Sequence, residues 1–326
     1  MTSPLQLYIH FFNFRFRHRD RGMDVHGFID AAAALGFSGI NIWIKHPPLF
    51  GGYDAAYLDA VRHHLEACGL GIDAEMNGTD PKELAAMLDV ARRLGAEHLR
   101  TYTLRRPDAR EQVESAVRDL KLAAPLAEKA GVTLLVENHE DLTATEVAEI
   151  LERVDHPRVR ALFDYGNSAV FMEEPAVSAT VLGRYVRTAH LKDHVVIPAG
   201  VAGNDEPLWM GVPLGAGNLP IVETTRALQA AGVKRISFEN CWAYSTSFRG
   251  RRGAGILGKG VFAYHHPPYD PMICLPDAEG AAATRGLDLA EMEEITMHAS
   301  VRWLEQTLAR EGIPLTRALR PPEPGK

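Results

Sequence analysis

The stretch 132–139, VTLLVENH, decides the fold, because a short apolar run there reaches a carboxylate at Glu137. Three further apolar runs end in the same way on a residue that can bind a metal: Asp164 in RALFDYGNS, His190 in VRTAHLKD and Glu239 in RISFENC. Buried strands with charged residues at their C-terminal ends are typical of a parallel barrel, whose active site lies at that end. The four runs therefore predict an α/β barrel with a divalent metal at its mouth.

The rest of the chain alternates between short apolar runs and longer amphipathic stretches. The predicted strands are 5–11, 39–44, 71–76, 98–103, 132–138, 160–164, 186–191 and 235–239. The predicted helices are 24–35, 54–68, 81–94, 110–130, 144–154, 173–183, 219–231 and 287–311. Strict alternation of eight strands with eight helices predicts a (β/α)8 TIM barrel. A doubly wound open sheet also alternates, but no Gly-rich phosphate loop follows an early strand.

Two segments interrupt this alternation. Residues 192–218 follow the seventh predicted strand and residues 240–286 follow the eighth, and both are longer than ordinary connections. Both leave the C-terminal face of the barrel, where active sites lie, so we expect lids, binding loops or interface elements. The length of 326 residues suits a single TIM-barrel domain over residues 1–326.

Composition narrows the class of protein. Hydrophobic residues make up 46% of the chain and charged residues 24%, as in soluble globular proteins. No stretch approaches the roughly 20 apolar residues that a membrane span needs. The net charge of −7 argues against binding to nucleic acid. Cys68, Cys241 and Cys274 are odd in number and far apart, which indicates a reducing compartment and predicts a cytoplasmic protein.

The strand-end residues form a predominantly hard ligand set of three carboxylates and one imidazole. Such a set suits Mn²⁺ or Mg²⁺ and also accepts Co²⁺ or Zn²⁺, unlike a structural zinc site built from thiolates. For any one carboxylate, a salt-bridged surface position is the alternative. Four residues at corresponding strand ends favour the metal site.

The motifs ENH, FDYGN, HLKD and FEN on predicted strands five to eight resemble those of xylose-isomerase-like barrels, specifically the sugar phosphate isomerase/epimerase group. The resemblance implies that Glu137, Asp164, His190 and Glu239 bind one divalent metal, with manganese the foremost candidate. It also implies that Glu137 and Glu239 act as acid and base on the sugar carbon. Proton removal next to a carbonyl needs a base and a stabilised enolate oxygen, and a metal stabilises that oxygen as a Lewis acid.

His139 is a further candidate for the catalytic base. Residues two apart on a strand point the same way, so His139 shares the inward direction of Glu137 if the strand continues that far. The alternative is that it lies past the strand end and only packs. The Glu137/His139 pair is similar to the ExH pair of C-glycoside deglycosidase catalytic subunits, where the histidine is the base on a 3-oxo-sugar. That resemblance implies a complex with a smaller subunit; otherwise we expect a homo-oligomer.

Five residues are predicted to contact the substrate: His10, Trp43, Arg100, Asn167 and Lys192. Lys192 shares the face of His190, with simple solvation as the alternative. Asn167 stands where several relatives have a substrate-binding histidine, and this departure puts the particular epimerase chemistry in doubt. Arg100 alternatively forms a structural ion pair with Glu75 across the barrel. Core packing is the alternative for Trp43.

An arginine run follows the first predicted strand and so falls near the active face: Arg15, Arg17, Arg19 and Arg21. Bound to phosphate or carboxylate, these guanidinium groups would indicate an anionic substrate. A solvated loop or a subunit contact is the other interpretation, and the sequence favours neither.

The predicted function is a divalent-metal-dependent sugar isomerase or epimerase that abstracts a proton next to the carbonyl of a ketose or oxo-sugar. The alternative is a lyase or dehydratase on a 3-oxo-sugar or 3-oxo-glycoside, with His139 as base. An endonuclease IV-like nuclease is a minor alternative, disfavoured by the negative net charge and by the lack of histidine at Asn167. A barrel that only binds is disfavoured by the intact ligand set.

Overall fold

Eight parallel strands close into a barrel in the computed structural model, which describes residues 3–322. They are β1 (Gln6–His10), β2 (Gly39–Trp43), β3 (Gly71–Glu75), β4 (His98–Thr101), β5 (Thr133–Glu137), β6 (Val159–Asp164), β7 (Val186–Leu191) and β10 (Arg235–Phe238). Each strand pairs with its predecessor among these eight, and β1 pairs with both β2 and β10, which closes the barrel. The predicted (β/α)8 fold is confirmed.

Eight helices correspond to those predicted from the sequence. They are α2 (Val25–Ala34), α4 (Ala55–Cys68), α5 (Pro81–Leu94), α6 (Ala109–Ala130), α7 (Ala144–Val154), α8 (Pro175–Leu182), α9 (Ile221–Ala230) and α11 (Leu289–Arg310). Local chemistry sets their ends. At the start of α7, Thr143 and Glu146 form a capping box, each side chain accepting from the backbone N–H of the other. Gly131 ends α6 in the left-handed conformation that glycine adopts without strain.

Both long segments predicted as loops contain regular structure. β8 (Asp193–Ile197), β9 (Leu208–Val212) and β11 (Ser245–Ser247) form a three-stranded antiparallel sheet beside the barrel. Residues on this sheet, such as Val195 and Met210, pack with Cys274 in a separate apolar cluster. Three helices also stand where the sequence indicated none: α1 (Arg15–Arg21), α3 (Pro47–Phe50) and α10 (Ala278–Arg285).

A buried polar cluster fills the N-terminal end of the barrel. Arg235 Nη1 donates to Asp73 Oδ1 at 2.7 Å, and the Arg235 guanidinium lies 4.4 Å from the centre of the Tyr8 ring. His98 Nδ1 lies 2.9 Å from the same oxygen of Asp73. Gly71 leaves room for this arrangement, because a Cβ at Gly71 would lie 2.0 Å from Tyr8 Oη. The cluster supports the barrel from the end opposite the functional face.

The three cysteines are unpaired, as their spacing predicts. Cys241 and Cys274 are buried, whereas Cys68 is partly exposed at the end of α4. Within residues 3–322, no helix combines the length and the apolar character needed to cross a membrane.

Candidate active site

The four strand-end residues meet at the C-terminal mouth of the barrel. Glu137 and Asp164 end β5 and β6, His190 lies near the end of β7, and Glu239 directly follows β10. His190 Nδ1 lies 3.5 Å from Glu137 Oε1, 3.8 Å from Asp164 Oδ2 and 3.7 Å from Glu239 Oε2. All four side chains are buried. The structure therefore brings the whole predicted quartet together.

Neighbouring backbone and amide groups orient Asp164. Its Oδ1 atom accepts from the backbone N–H groups of Gly166 and Asn167, each at 2.8 Å, which leaves Oδ2 toward the site. Asn138 Oδ1 accepts from the Asp164 N–H, and Asn138 Nδ2 donates to the Asp164 carbonyl. Because Asn138 directly follows Glu137, the ENH motif fixes the ends of β5 and β6 relative to each other.

The cluster fits a divalent metal ion. Among the residues that the structure describes, Glu137 Oε2, Asp164 Oδ2 and Glu239 Oε2 are buried without a hydrogen bond, although a nitrogen of Arg100 or Lys192 lies within 3.2 Å of each. Buried anionic oxygens normally accept hydrogen bonds or coordinate metals. Glu137, Asp164 and His190 can each offer one ligand atom within 4.8 Å of the other two. Hard oxygens with one imidazole are suitable ligands for Mn²⁺, Mg²⁺, Co²⁺ or Zn²⁺.

Glu75, at the end of β3, orients His190. His190 Nε2 lies 2.9 Å from Glu75 Oε1 and 3.0 Å from Asn41 Nδ2, which leaves Nδ1 directed at the other carboxylates. Metal-binding histidines usually present their second ring nitrogen to such a partner. Burial lowers the pKa of His190, but the carboxylates of Glu75 and Glu137 outweigh it and raise that pKa to about 10. A metal on Nδ1 would take the place of the proton there.

Arg100 forms an ion pair with Glu75. This pair was predicted as the alternative to a contact between Arg100 and the substrate. Arg100 Nη2 donates to Glu75 Oε2, and Arg100 Nε lies 3.2 Å from Glu137 Oε2. Burial raises the pKa of Glu75, but Arg100, His10 and His190 outweigh it and hold that pKa well below its usual value. Arg100 therefore keeps two buried carboxylates ionised beside the mouth of the barrel.

Lys192 places an ammonium group within the same cluster. Its Nζ lies 2.8 Å from Asp164 Oδ2 and 2.9 Å from Glu239 Oε2, although neither contact has hydrogen-bond geometry. Burial lowers the pKa of Lys192, but the two carboxylates raise it well above its usual value. A metal on Asp164 and Glu239 requires this flexible side chain to shift, and Asn167 Oδ1, at 3.4 Å, is another acceptor within its reach.

A cavity of about 180 Å³ opens over the cluster. All five predicted substrate residues line it: His10, Trp43, Arg100, Asn167 and Lys192. Phe12 and Tyr244 add aromatic walls that were not predicted from the sequence. Tyr244 was missed because it belongs to the long segment after β10. A larger groove, of about 750 Å³, lies outside the barrel between α1, α2 and α11, away from the strand ends. The smaller cavity is therefore the candidate active site.

His139 lines this cavity even though β5 ends at Glu137. Its ring stacks on Tyr102 with centroids 3.9 Å apart and planes 9° from parallel. Burial lowers the pKa of His139, more strongly than Glu137 raises it. A neutral imidazole in contact with the cavity is suited to accept a proton.

Glu140 anchors the long segment 240–286 over the cavity. Its carboxylate accepts from Tyr244 Oη at 2.9 Å, from Thr246 Oγ1 at 2.9 Å and from Arg249 Nη2 at 2.8 Å. Since the side chain of Glu140 is only 5% exposed, these partners replace its contact with water. The anchor joins the loop that carries His139 to the segment that carries the wall residue Tyr244.

Replacing Glu140 by Gln is expected to speed backbone amide exchange at residues 244–249, because the neutral amide cannot satisfy Arg249 and both hydroxyl groups. Hydrogen–deuterium exchange mass spectrometry measures this change. Glu83→Gln is the matched control, since within residues 3–322 Glu83 forms a single ion pair, with Lys45, and is 49% exposed. Identical exchange at 244–249 in the wild type and Glu140→Gln would show that Glu140 is no anchor.

The arginine run is a helix, α1, and none of its arginines lines the active-site cavity. Arg17, Arg19 and Arg21 pair with acidic residues of the C-terminal region: Glu294, Glu279 and Asp288. Arg15 packs between the rings of Phe12 and Phe16 and lies 3.5 Å from Glu293. Carboxylates of the same chain pair with these groups, and the groups do not reach the active-site cavity, so the structure gives no support to the interpretation as a site for an anionic substrate.

A protein-family comparison identifies the class of protein. The model described as xylose isomerase-like TIM barrel matches residues 29–255, more than half of the chain. The protein therefore belongs to the xylose isomerase-like TIM barrel family. Among curated proteins, the uncharacterized protein YihM of Escherichia coli K12 is 22% identical over 204 residues. That match covers 61% of this chain and 63% of YihM, so the chain spans less than two thirds of this relative.

Solved structures share the fold at low sequence identity. D-psicose 3-epimerase from Clostridium cellulolyticum H10 is 15% identical, with a TM-score of 0.61 over 91% of this chain and 98% of its own. The probable 3-DHS dehydratase AsbF from Bacillus anthracis is 17% identical, with a TM-score of 0.57 over 72% and 92%. The IolI protein, solved with a bound zinc atom, is 17% identical, with a TM-score of 0.58 over 73% and 90%.

Proposed function

We propose that the protein is a divalent-metal-dependent sugar isomerase or epimerase, which abstracts a proton next to the carbonyl of a ketose or oxo-sugar. The observation that carries this proposal is the convergence of three buried carboxylates on His190 Nδ1 at the barrel mouth. Membership of the family and the fold shared with a sugar epimerase support it. Mn²⁺ is the metal we propose first, and the same donor set accepts Mg²⁺, Co²⁺ or Zn²⁺.

All four residues of the quartet are assigned to metal binding, and the two glutamates are also assigned to proton transfer. Glu137, Asp164, His190 and Glu239 would hold the ion, which supplies a Lewis acid for the oxygens of the substrate. Glu239 lines the cavity, so we assign to it the proton transfer at the carbon next to the carbonyl. Glu137, on a different strand, is the second acid/base group.

Cationic and aromatic groups of the cavity would position the sugar. Lys192 and Arg100 place positive charge beside the carboxylates and can donate to substrate oxygens. Trp43, which stacks on His46 with centroids 5.1 Å apart, offers a ring face to the apolar side of a sugar. His10 and Asn167 are hydrogen-bond partners for hydroxyl groups.

A lyase or dehydratase acting on a 3-oxo-sugar or 3-oxo-glycoside is the second candidate. The placement of His139 in the cavity wall favours it, because a base there could remove the proton before a group β to the carbonyl leaves. The fold shared with AsbF is compatible with this reaction class. Under this alternative we propose a complex with a smaller subunit.

The reaction class is tested by proton NMR in D₂O. Protein stripped with EDTA is compared with protein restored with diamagnetic Mg²⁺, against a panel of ketoses, inososes and 3-oxo-glycosides. We expect metal-dependent exchange of the proton next to the carbonyl. Exchange without elimination supports the isomerase or epimerase, and loss of a leaving group supports the lyase. Turnover with no dependence on metal would overturn the shared mechanism.

Replacing His139 by Asn separates the two candidates. We expect a loss of about 10²-fold or more in rate if His139 is the base of a lyase, and a much smaller change for the epimerase. The same NMR assay measures both outcomes. Tyr102→Phe is the control for a change beside His139 that leaves the imidazole in place, because it keeps the ring on which His139 stacks. A large loss in proton exchange on an epimerised substrate would contradict the division of roles given to the glutamates.

For assembly and location, we propose a cytoplasmic homo-oligomer. The three unpaired cysteines support a reducing compartment. Light scattering should give a multiple of the 35.9 kDa chain mass, and a value equal to one chain would contradict the oligomer.

A further inference from the structure

Two neighbouring helices outside the barrel carry a cluster of metal-binding side chains that the active site does not use. His26 and Asp30 are four residues apart on α2, and His64 and Cys68 are four residues apart on α4. Residues at this spacing lie on one face of a helix. Since α2 and α4 pack against each other, the two faces meet. Asp30, His64 and Cys68 can each offer one ligand atom within 4.8 Å of the other two.

Both ring nitrogens of His64 have a partner in this cluster. His64 Nδ1 lies 2.9 Å from His26 Nδ1, and His64 Nε2 lies 2.8 Å from Asp30 Oδ1. The two rings stack with centroids 5.2 Å apart and planes 19° from parallel. When His64 Nδ1 donates to His26 Nδ1, His64 Nε2 presents a lone pair to Asp30 Oδ1, and Cys68 has its ligand atom within 4.8 Å of the other two ligand atoms. In that tautomer no proton lies between Nε2 and the carboxylate oxygen, so a cation can bind to both, and the hydrogen bond at Nδ1 is the usual support of a metal-binding imidazole.

We propose that His64, Asp30 and Cys68 form a transition-metal site that links α2 to α4, with His26 orienting His64. The nitrogen, oxygen and sulfur donors favour Zn²⁺ over Mg²⁺ or Mn²⁺, which bind oxygen ligands. Water completes the coordination, since the side chain of Asp30 is 69% exposed. Zinc–ligand bonds of about 2.0–2.3 Å hold ligand atoms about 3.3–3.8 Å apart, so this exposed carboxylate needs only a small shift.

The site would act as a clip between the first two strand–helix units of the barrel. α2 follows β1 and α4 follows β2, so a metal shared between these helices joins two units at the outer surface. A ligand that binds only the folded state stabilises that state by mass action. The clip is independent of the proposed reaction at the barrel mouth, because it contains none of the residues assigned there.

Titration of the full-length, reduced protein with Co²⁺ tests the site. Co²⁺ is a spectroscopic substitute for zinc, and a thiolate ligand gives a sulfur-to-cobalt charge-transfer band in the near ultraviolet. In Asp164→Asn, whose active-site ligands are disrupted, we expect this band to saturate at one equivalent. The wild type should also show the band, and Cys68→Ser should lack it. His26→Gln should weaken Co²⁺ binding about 10–100-fold, as the loss of an orienting partner does. Zn²⁺ should also raise the Tm of Asp164→Asn, in which the active-site ligands are disrupted, and adding Cys68→Ser to that variant should abolish the rise.

Two controls separate this site from the active site. Cys241→Ser removes the thiol that lines the active-site cavity, and Asp164→Asn disrupts the proposed active-site ligands; both should keep the band. As a second measurement, Zn²⁺ should protect Cys68 from alkylation, read by peptide mass spectrometry. A wild type without the band, a band that survives Cys68→Ser, or alkylation of Cys68 unchanged by Zn²⁺ would overturn the proposal.

Discussion

Replacing Arg100 by Met is expected to lower the free energy of unfolding by about 3–5 kcal/mol, the usual cost of breaking a buried ion pair from one side. The side chains of Glu75 and Glu137 are 1% and 2% exposed, and Arg100 contacts both. Without the guanidinium, two carboxylates lose the cation that compensates for their burial. Urea unfolding of metal-free protein in EDTA measures the loss.

Arg93→Met is the matched control for this prediction. Arg93 lies on α5, pairs with Asp89 and is 45% exposed, so we expect a change within about 0.5 kcal/mol. The double variant Glu75→Gln with Arg100→Met should recover part of the loss, because it removes one of the uncompensated charges. Equal stabilities for Arg100→Met and Arg93→Met would refute the electrostatic role of Arg100.

Replacing Glu239 by Gln is expected to slow exchange of the substrate proton by about 10²–10⁴-fold at saturating metal, since an amide cannot accept that proton. Glu239 lines the cavity and its Oε2 lies 3.7 Å from His190 Nδ1. The NMR exchange assay gives the rate with whichever sugar the wild type turns over. Saturating Mg²⁺ separates loss of the base from weaker metal binding.

Glu83→Gln serves as the control, because Glu83 contacts Lys45 away from the active-site cavity and its change should leave the exchange rate unaltered. Circular dichroism confirms that both variants fold. Wild-type exchange by Glu239→Gln at saturating metal would assign the proton transfer to another group, such as Glu137 or His139.

The barrel could be predicted from the sequence because its signals are local. Each strand is a short apolar run, and each helix has its own period and its own capping residues, such as Thr143 and Gly131. The sheet of β8, β9 and β11 could not, because β11 pairs with β9 across more than thirty residues of chain. Its apolar residues are buried by tertiary contacts that no short window contains.

The candidate active site could likewise be predicted only in part. Strands of a parallel barrel all end at one rim, so the meeting of Glu137, Asp164, His190 and Glu239 follows from position alone. The contacts of Glu75 with His190 and of Glu140 with Tyr244 depend on side-chain orientation across the barrel. The acidic partners of the α1 arginines lie near the other end of the chain, which is why that run resembled an anion site.

Binding of Mn²⁺ to metal-free protein tests the central claim most directly. Electron paramagnetic resonance of free Mn²⁺ gives the bound fraction for the wild type, Asp164→Asn and Cys68→Ser. We expect one tight equivalent in the wild type and in Cys68→Ser, and binding at least about tenfold weaker in Asp164→Asn, which removes a ligand oxygen. Absence of tight Mn²⁺ binding in the wild type, or equal binding in Asp164→Asn, would contradict a metal centre at the barrel mouth.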